Sequence, residues 1–230
     1  MKMKVWLSLL LAFGFSITAY GQQSAPPSAK PADSGPTLAA TMQFIQEKLS
    51  EHGQVAYAML RSDDPGITHR TIDRITDVMA DPGACTLYIT GLSDGNIILA
   101  PGMTLKQGLS TNDYSTHKVN TVTIAFKQVE KVSVSKLQDY QNQTFAEAGH
   151  PEITSSLTPT VFHVKLSGSS AIVTGHVSFT QGTQAPVERD ITSKIIGYTF
   201  RDEETATKIA KAMKHTMELC GGGVTKKELF

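Results

Sequence analysis

The chain has 230 residues, 21 basic against 21 acidic side chains and 40% hydrophobic residues. The charge balance excludes a general electrostatic affinity for nucleic acid or an anionic membrane. The hydrophobic content excludes a disordered chain, and the length suits one medium domain or two small ones with a sizeable core.

At the start, Lys2 and Lys4 precede an apolar run from Val5 to Thr18, and Ala19-Tyr20-Gly21 supplies small residues at a cleavage site. Residues 1–21 therefore read as a secretory signal peptide cut before Gln22, too short to span a membrane. No cysteine follows the apolar run, which excludes a lipoprotein. Removal of Lys2 and Lys4 leaves 19 basic against 21 acidic residues. No transmembrane segment is expected after signal cleavage. Residues 22–36, rich in Gln, Ser, Ala and Pro, read as a flexible linker. Residues 37–223 read as a single globular domain and 224–230 as a flexible tail.

Within the domain, Leu38, Met42, Ile45 and Leu49 recur at helical spacing, which predicts a helix over Thr37–His52 stopped by Gly53. Val55, Tyr57 and Met59 alternate as in a strand. The segment Thr71–Met79 fits a helix or a bent strand. Asp81-Pro82-Gly83 is turn chemistry, and Cys85, Leu87 and Ile89 alternate after it. Asp94-Gly95 between two apolar runs predicts a hairpin turn with Asn96–Ala100 as the return strand. Residues 101–117 read as a long loop. Val122, Ile124 and Phe126 predict a strand, and another begins at Val129 or Lys131. Asp139–Thr158 is polar and irregular, with room for a short helix near Phe145. Val161–Leu166, Ala171–Phe179 and Ile195–Phe200 complete a mainly antiparallel set. Asp202 is an N-cap candidate for a closing helix along Ala206, Ile209, Ala210, Met213 and Met217, ended by Gly221-Gly222-Gly223. The expected fold class is α+β: an antiparallel sheet or partly open barrel between an N-terminal helix and a C-terminal capping helix.

Two cysteines, Cys85 and Cys220, remain in the exported chain. An oxidising compartment favours their pairing in one disulfide over two buried thiols. Closing that loop is worth roughly 5 kcal/mol on the chain-entropy model.

Certain segments carry a likeness to known proteins. They are Ile124–Phe126, Val129–Val134, Val161–Leu166 and the ending Tyr198-Thr199-Phe200-Arg201-Asp202-Glu203-Glu204 with Ala206. Short antiparallel strands closed by one amphipathic helix in this way resemble the pleckstrin-homology-like (PH-like, GRAM-type) architecture. The stretch Phe200–Gly223 also looks like a group of exported bacterial proteins of unassigned function. The resemblance implies a scaffold that binds phosphoinositides or peptides. The chain departs from the lipid-binding pattern, because Arg61, Arg70 and Arg74 are interleaved with Asp63, Asp64, Asp73 and Asp77 where a basic cluster would be needed. Fold alone does not fix function.

Catalytic motifs are matched only in letters. Gly91-Leu92-Ser93-Asp94-Gly95 has the G-x-S-x-G spacing, which exposes its serine only between a strand and a helix; here it reads as a turn. Ser133 and Lys136 have S-x-x-K spacing, but on a strand they point to opposite faces. The seven histidines form no ligand motif. His163 and His176, on strands expected to be neighbours, are the one pair that could meet over a metal. Gly221–Gly223 follows a helix, where carbonyls are unpaired, so it is a cap and not a phosphate loop. Lys226 and Glu228 break the alternation that a terminal barrel strand ending at Phe230 would need. Lys208, Lys211, Lys214, Lys226 and Lys227 read as a solvated strip. The expectation is an exported, non-catalytic binding or interaction module without cofactor or metal, its partner a protein or peptide of the cell envelope. The alternative is an envelope hydrolase with a site assembled from distant strands.

Overall fold

The computed structural model describes residues 35–106 and 108–223. The expected signal peptide, the linker up to residue 34 and the tail 224–230 lie outside the described residues.

Helix α1 spans Leu38–His52; Thr37 caps it by accepting from the Ala40 N–H at 3.2 Å, and Met42, Ile45 and Leu49 form its buried stripe. Strands β1 (Gln54–Arg61), β2 (Ile67–Asp81), β3 (Thr86–Leu99), β4 (Thr116–Ala125) and β5 (Lys131–Lys136) follow. Helix α2 (Leu137–Glu147) then leads to β6 (Ser155–Thr158), β7 (Phe162–Ser167), β8 (Val173–Gln181), β9 (Val187–Ser193) and β10 (Ile195–Phe200), and α3 (Glu203–Leu219) closes the chain. The strands form a seven-stranded sheet in the order β6-β1-β2-β3-β4-β8-β9 and a three-stranded sheet in the order β10-β7-β5. Every pairing is antiparallel. The fold is α+β with a helix at each end of the domain, as the pattern predicts.

Helix α3 illustrates how local choices agree. Asp202 accepts from the Thr205 N–H at 2.7 Å, and Glu203 and Glu204 occupy the positive first turn. Ala206, Ile209, Met213 and Met217 are buried against α1, β5, β7 and β10. Each fully buried side chain of the Ile or Met class contributes about 1.5–3 kcal/mol. The exit from α3 is tight: a Cβ on Gly222 would lie 2.5 Å from the Phe126 carbonyl oxygen and 2.7 Å from that of Val129. The main core joins α1, α3, the small sheet and one end of the large sheet, and includes Leu87, Ile89, Ile124, Phe126, Leu166 and Phe200. A smaller cluster of Val55, Leu137, Leu157 and Val161 lies under α2.

Cys85 and Cys220 are joined by a disulfide across a Cα separation of 5.9 Å. It ties the turn between β2 and β3 to the end of α3. Cys85 has φ +58°, a left-handed conformation rare for a residue with a side chain. Its neighbours hold it there: Cys85 N–H donates to Pro82 O and Cys85 O accepts from Phe126 N–H at 3.0 Å.

Several expectations are corrected. Asp94-Gly95 is not a turn. Strand β3 runs straight through it, Asp94 pairing with Ile72 and His117, and Gly95 with Thr71 and Thr116. The two residues suit a strand here for reasons outside their own segment. Asp94 points outward, where it bonds Arg74 and, at 2.6 Å, His117. At Gly95, a Cβ would sit 2.4 Å from the Thr116 hydroxyl. Asn96–Ala100 is therefore not a return strand but, to Leu99, the end of β3. The ambiguous segment Thr71–Met79 is strand, bent by a bulge between Ile75 and Asp77. Phe126 leaves β4 and is buried in a 3-10 turn, Phe126–Gln128. The irregular 139–158 segment contains most of α2 and all of β6, and the wholly unexpected β9 is a polar edge strand.

Candidate functional site

The period of two along a strand, combined with antiparallel register, carries one row of side chains across the inner face of the large sheet. Val55, Asp73, Ser93, Lys118, Phe179 and Val187 are successive partners in that row. The adjoining row is Ile75, Gly91, Asn120, Val177 and Arg189. Rows farther toward the β2–β3 turn, such as Leu87, Ile124 and Val173, are apolar and belong to the main core. The inner face thus changes from apolar to polar along the same strands.

Over the polar rows lies a groove of about 360 Å³, half open to solvent, with the whole run Ile195–Thr199 of β10 as its opposite wall. Asp73, Ser93 and Lys118 supply its polar base, and Val122, Val177 and Ile191 its apolar side. Burial pushes the Asp73 carboxyl above the ordinary carboxylate range; a hydrogen bond from Ser93, the Lys118 charge and Tyr57 oppose this. Tyr57, half-buried beside it, is raised by burial and then by the Asp73 charge. Tyr198 lines the groove from β10. Burial raises its phenol well above the usual value, and its hydroxyl is buried without a hydrogen-bond partner among the described residues. A desolvated carboxylate and a serine hydroxyl in one cavity can bind a ligand through directed hydrogen bonds, with Lys118 at the exposed mouth.

Ser93 is thus in the groove, but mid-strand beside a carboxylate and not on a strand-to-helix elbow. Ser133 is half-buried on β5, while Lys136 is exposed at the start of α2. The structure does not bring His163 and His176 together, because their strands belong to different sheets. His163 is buried beneath α2, stacked on Tyr140 with ring centroids 4.5 Å apart. Burial and the nearby Lys165 charge pull its imidazole down to about 4, and its Nδ1 has no partner among the described residues. His176 is exposed on the outer face between Asp190 at 3.0 Å and Glu188 at 2.8 Å, which raise its pKa. Among the described residues no cluster of three metal-ligating side chains occurs, and no helix is long and apolar enough to cross a membrane.

Sequence reasoning missed Asp73, Lys118, Tyr57 and Tyr198 as a group. A usable signal existed in parity: Thr71, Asp73 and Ile75 alternate onto one face, so a charged residue sits in line with a core one. Known protein families, curated proteins and solved structures yield no match to this chain.

Proposed function

We propose that the chain is an exported, non-catalytic binding module of PH-like type and that its ligand lies in the groove between the large sheet and β10. The observation that carries this reading is the groove itself. Its volume of about 360 Å³ falls in the range of small-ligand sites, and its lining is mixed, with polar groups such as Asp73, Ser93 and Asn120 beside apolar ones such as Val122, Val177 and Ile191. The residues lining it include no histidine, so Ser93 lacks the imidazole that would activate it. Export is supported by the Lys2–Gly21 pattern and by the Cys85–Cys220 disulfide, which persists in oxidising compartments. The PH-like likeness is supported by antiparallel sheets closed by α3.

The test is a fragment screen on the mature disulfide-bonded protein, read by amide chemical shifts. Shifts gathered at residues 91–93, 118–120 and 195–199 are expected; hits scattered over the outer face would sink the reading. One observation favours an envelope hydrolase as the second reading: a carboxyl with raised pKa shares the groove with a serine and a lysine. Turnover of ester, phosphoester or peptide substrates that Asp73→Asn abolishes would establish the hydrolase over the binder. Export is checked by the mass of the envelope-fraction protein, expected to begin at Gln22 and to lack two hydrogens relative to the dithiol.

A further inference from the structure

Strand β10 is an edge strand, paired on one side only, with β7. In an antiparallel ladder, alternate residues turn both N–H and C=O to the partner, and those between turn theirs away. Gly168 N–H donates to Lys194 O at 3.0 Å, in register with the Ile195–Ser167 pair. Ile196, Tyr198 and Phe200 therefore direct their main-chain groups at β7, and Ile195, Gly197 and Thr199 direct theirs at the open edge. Ser193 closes off Ile195: its Oγ accepts from Ile195 N–H at 3.1 Å and its hydroxyl donates to Ile195 O at 2.6 Å. Among the described residues, the outward groups of Gly197 and Thr199 have no partner.

This bare stretch of edge lies along the groove wall. Two residues of extended chain span about 6.8 Å, so the Gly197 and Thr199 groups are spaced as the repeat of another extended chain. Gly197 keeps the strand narrow at this point, since a Cβ there would meet His163 Nε2 at 2.1 Å. A second observation is independent of the edge: Tyr198, whose buried hydroxyl has no partner among the described residues, is one of the residues lining the same cavity. A third is the charge pattern. Asp73 is the half-buried anion of the groove base; of the two cations that also line the groove, Arg74 is paired with Asp94 and Lys118 is exposed at the mouth.

We propose that the groove takes a short extended peptide, which adds as a strand beside β10 through the main-chain groups of Gly197 and Thr199 and sets a cationic side chain against Asp73. The proposal rests on the groove being the binding site, as argued above. Main-chain pairing supplies most of the affinity and tolerates varied sequence; Asp73 selects one basic residue, and Lys118 at the mouth disfavours a second. About 360 Å³ holds only a few residues, so the recognised segment is short.

The experiment is an amide-shift titration of the mature, disulfide-bonded protein with acetyl-Ala-Lys-Ala-amide. Two controls accompany it: the same peptide with N-methylated main-chain amides, and acetyl-Ala-Glu-Ala-amide. Saturable shifts at Gly197 and Thr199 are expected, weakened at least about tenfold by N-methylation and severalfold by the Lys-to-Glu change. Asp73→Asn should abolish the preference for lysine while leaving pairing in place. Thr199→Pro, which removes one outward N–H at an edge position that tolerates proline, should weaken binding without shifting the melting temperature by more than a few degrees. Binding that survives N-methylation, or shifts away from β10, overturns the proposal. If the peptide fails while fragments still perturb the groove, strand addition is wrong and the binding-module reading stands; if neither perturbs it, both are wrong.

Discussion

The two ends of strands β2, β3 and β4 behave as different materials. Toward the β2–β3 turn, their inner face is Ala80, Leu87 and Ile124, in the core shared with α1 and α3. A few residues along, the same face is Asp73, Ser93 and Lys118, opposed by the bare edge of β10. The disulfide sits at the first end and the groove lies toward the second. One set of three strands can therefore supply both a rigid anchor and a site with unspent hydrogen-bonding capacity, because register, not sequence distance, decides which side chains share a neighbourhood.

The contrast can be broken most forcefully at the closed end. Replacing Cys85 and Cys220 together by serine should cost roughly 4–5 kcal/mol on the chain-entropy model, measured by urea unfolding, and leave groove binding intact in whatever fraction stays folded. A loss below about 1 kcal/mol would mean that the helices hold this end without the bond. Next comes a comparison on β3 alone. Leu87→Ala should lose about 2–5 kcal/mol, whereas Ser93→Ala, six residues away, should change stability by less than about 1 kcal/mol. Similar losses at both positions would erase the distinction between core and groove.

His163 sharpens the contrast through pH. Its pKa in the fold is about 4, against an ordinary 6.5, so between those values the unfolded chain binds more protons than the folded one. Stability is therefore full above pH 6.5 and falls as the pH drops toward 4, by an amount on the order of 2–3 kcal/mol. His163→Phe should flatten that slope in denaturant midpoints taken at several pH values. Asp73 runs the opposite way and more weakly. Its raised pKa means that, from the ordinary carboxylate pKa up to its own, the folded chain holds a proton the unfolded chain has lost. Stability therefore declines as pH rises through that window and stays lower above it. Asp73→Asn should raise neutral-pH stability slightly, by less than about 1 kcal/mol; a clear loss instead would show that the carboxylate holds the fold together.

What could be read from the residues follows the same division. Helices α1 and α3 were legible because period and flanking glycine agree within one segment: the buried stripes match, Asp202 caps where expected, and Thr37, read as the first helical residue, proves to be the cap of α1. The Asp94-Gly95 pair misled because turn chemistry is local, whereas strand pairing rewarded Asp94 with Arg74 and His117 from two neighbouring strands. Strand β9 was invisible because Glu188, Arg189 and Asp190 carry no apolar alternation on an exposed edge. The groove was hidden for a related reason. Asp73 and Lys118 look like solvent-facing residues until register places them in one row with Ser93 between them.

The bond between Cys85 and Cys220 makes a covalent ring of everything between them, which includes β3, β4, all of the small sheet and all of α3. A backbone cut anywhere in that span opens the ring without releasing a piece. A protease that enters at an exposed connection such as the one between β8 and β9 would leave a molecule of unchanged mass, apart from one added water, until a reductant reaches the sulfurs.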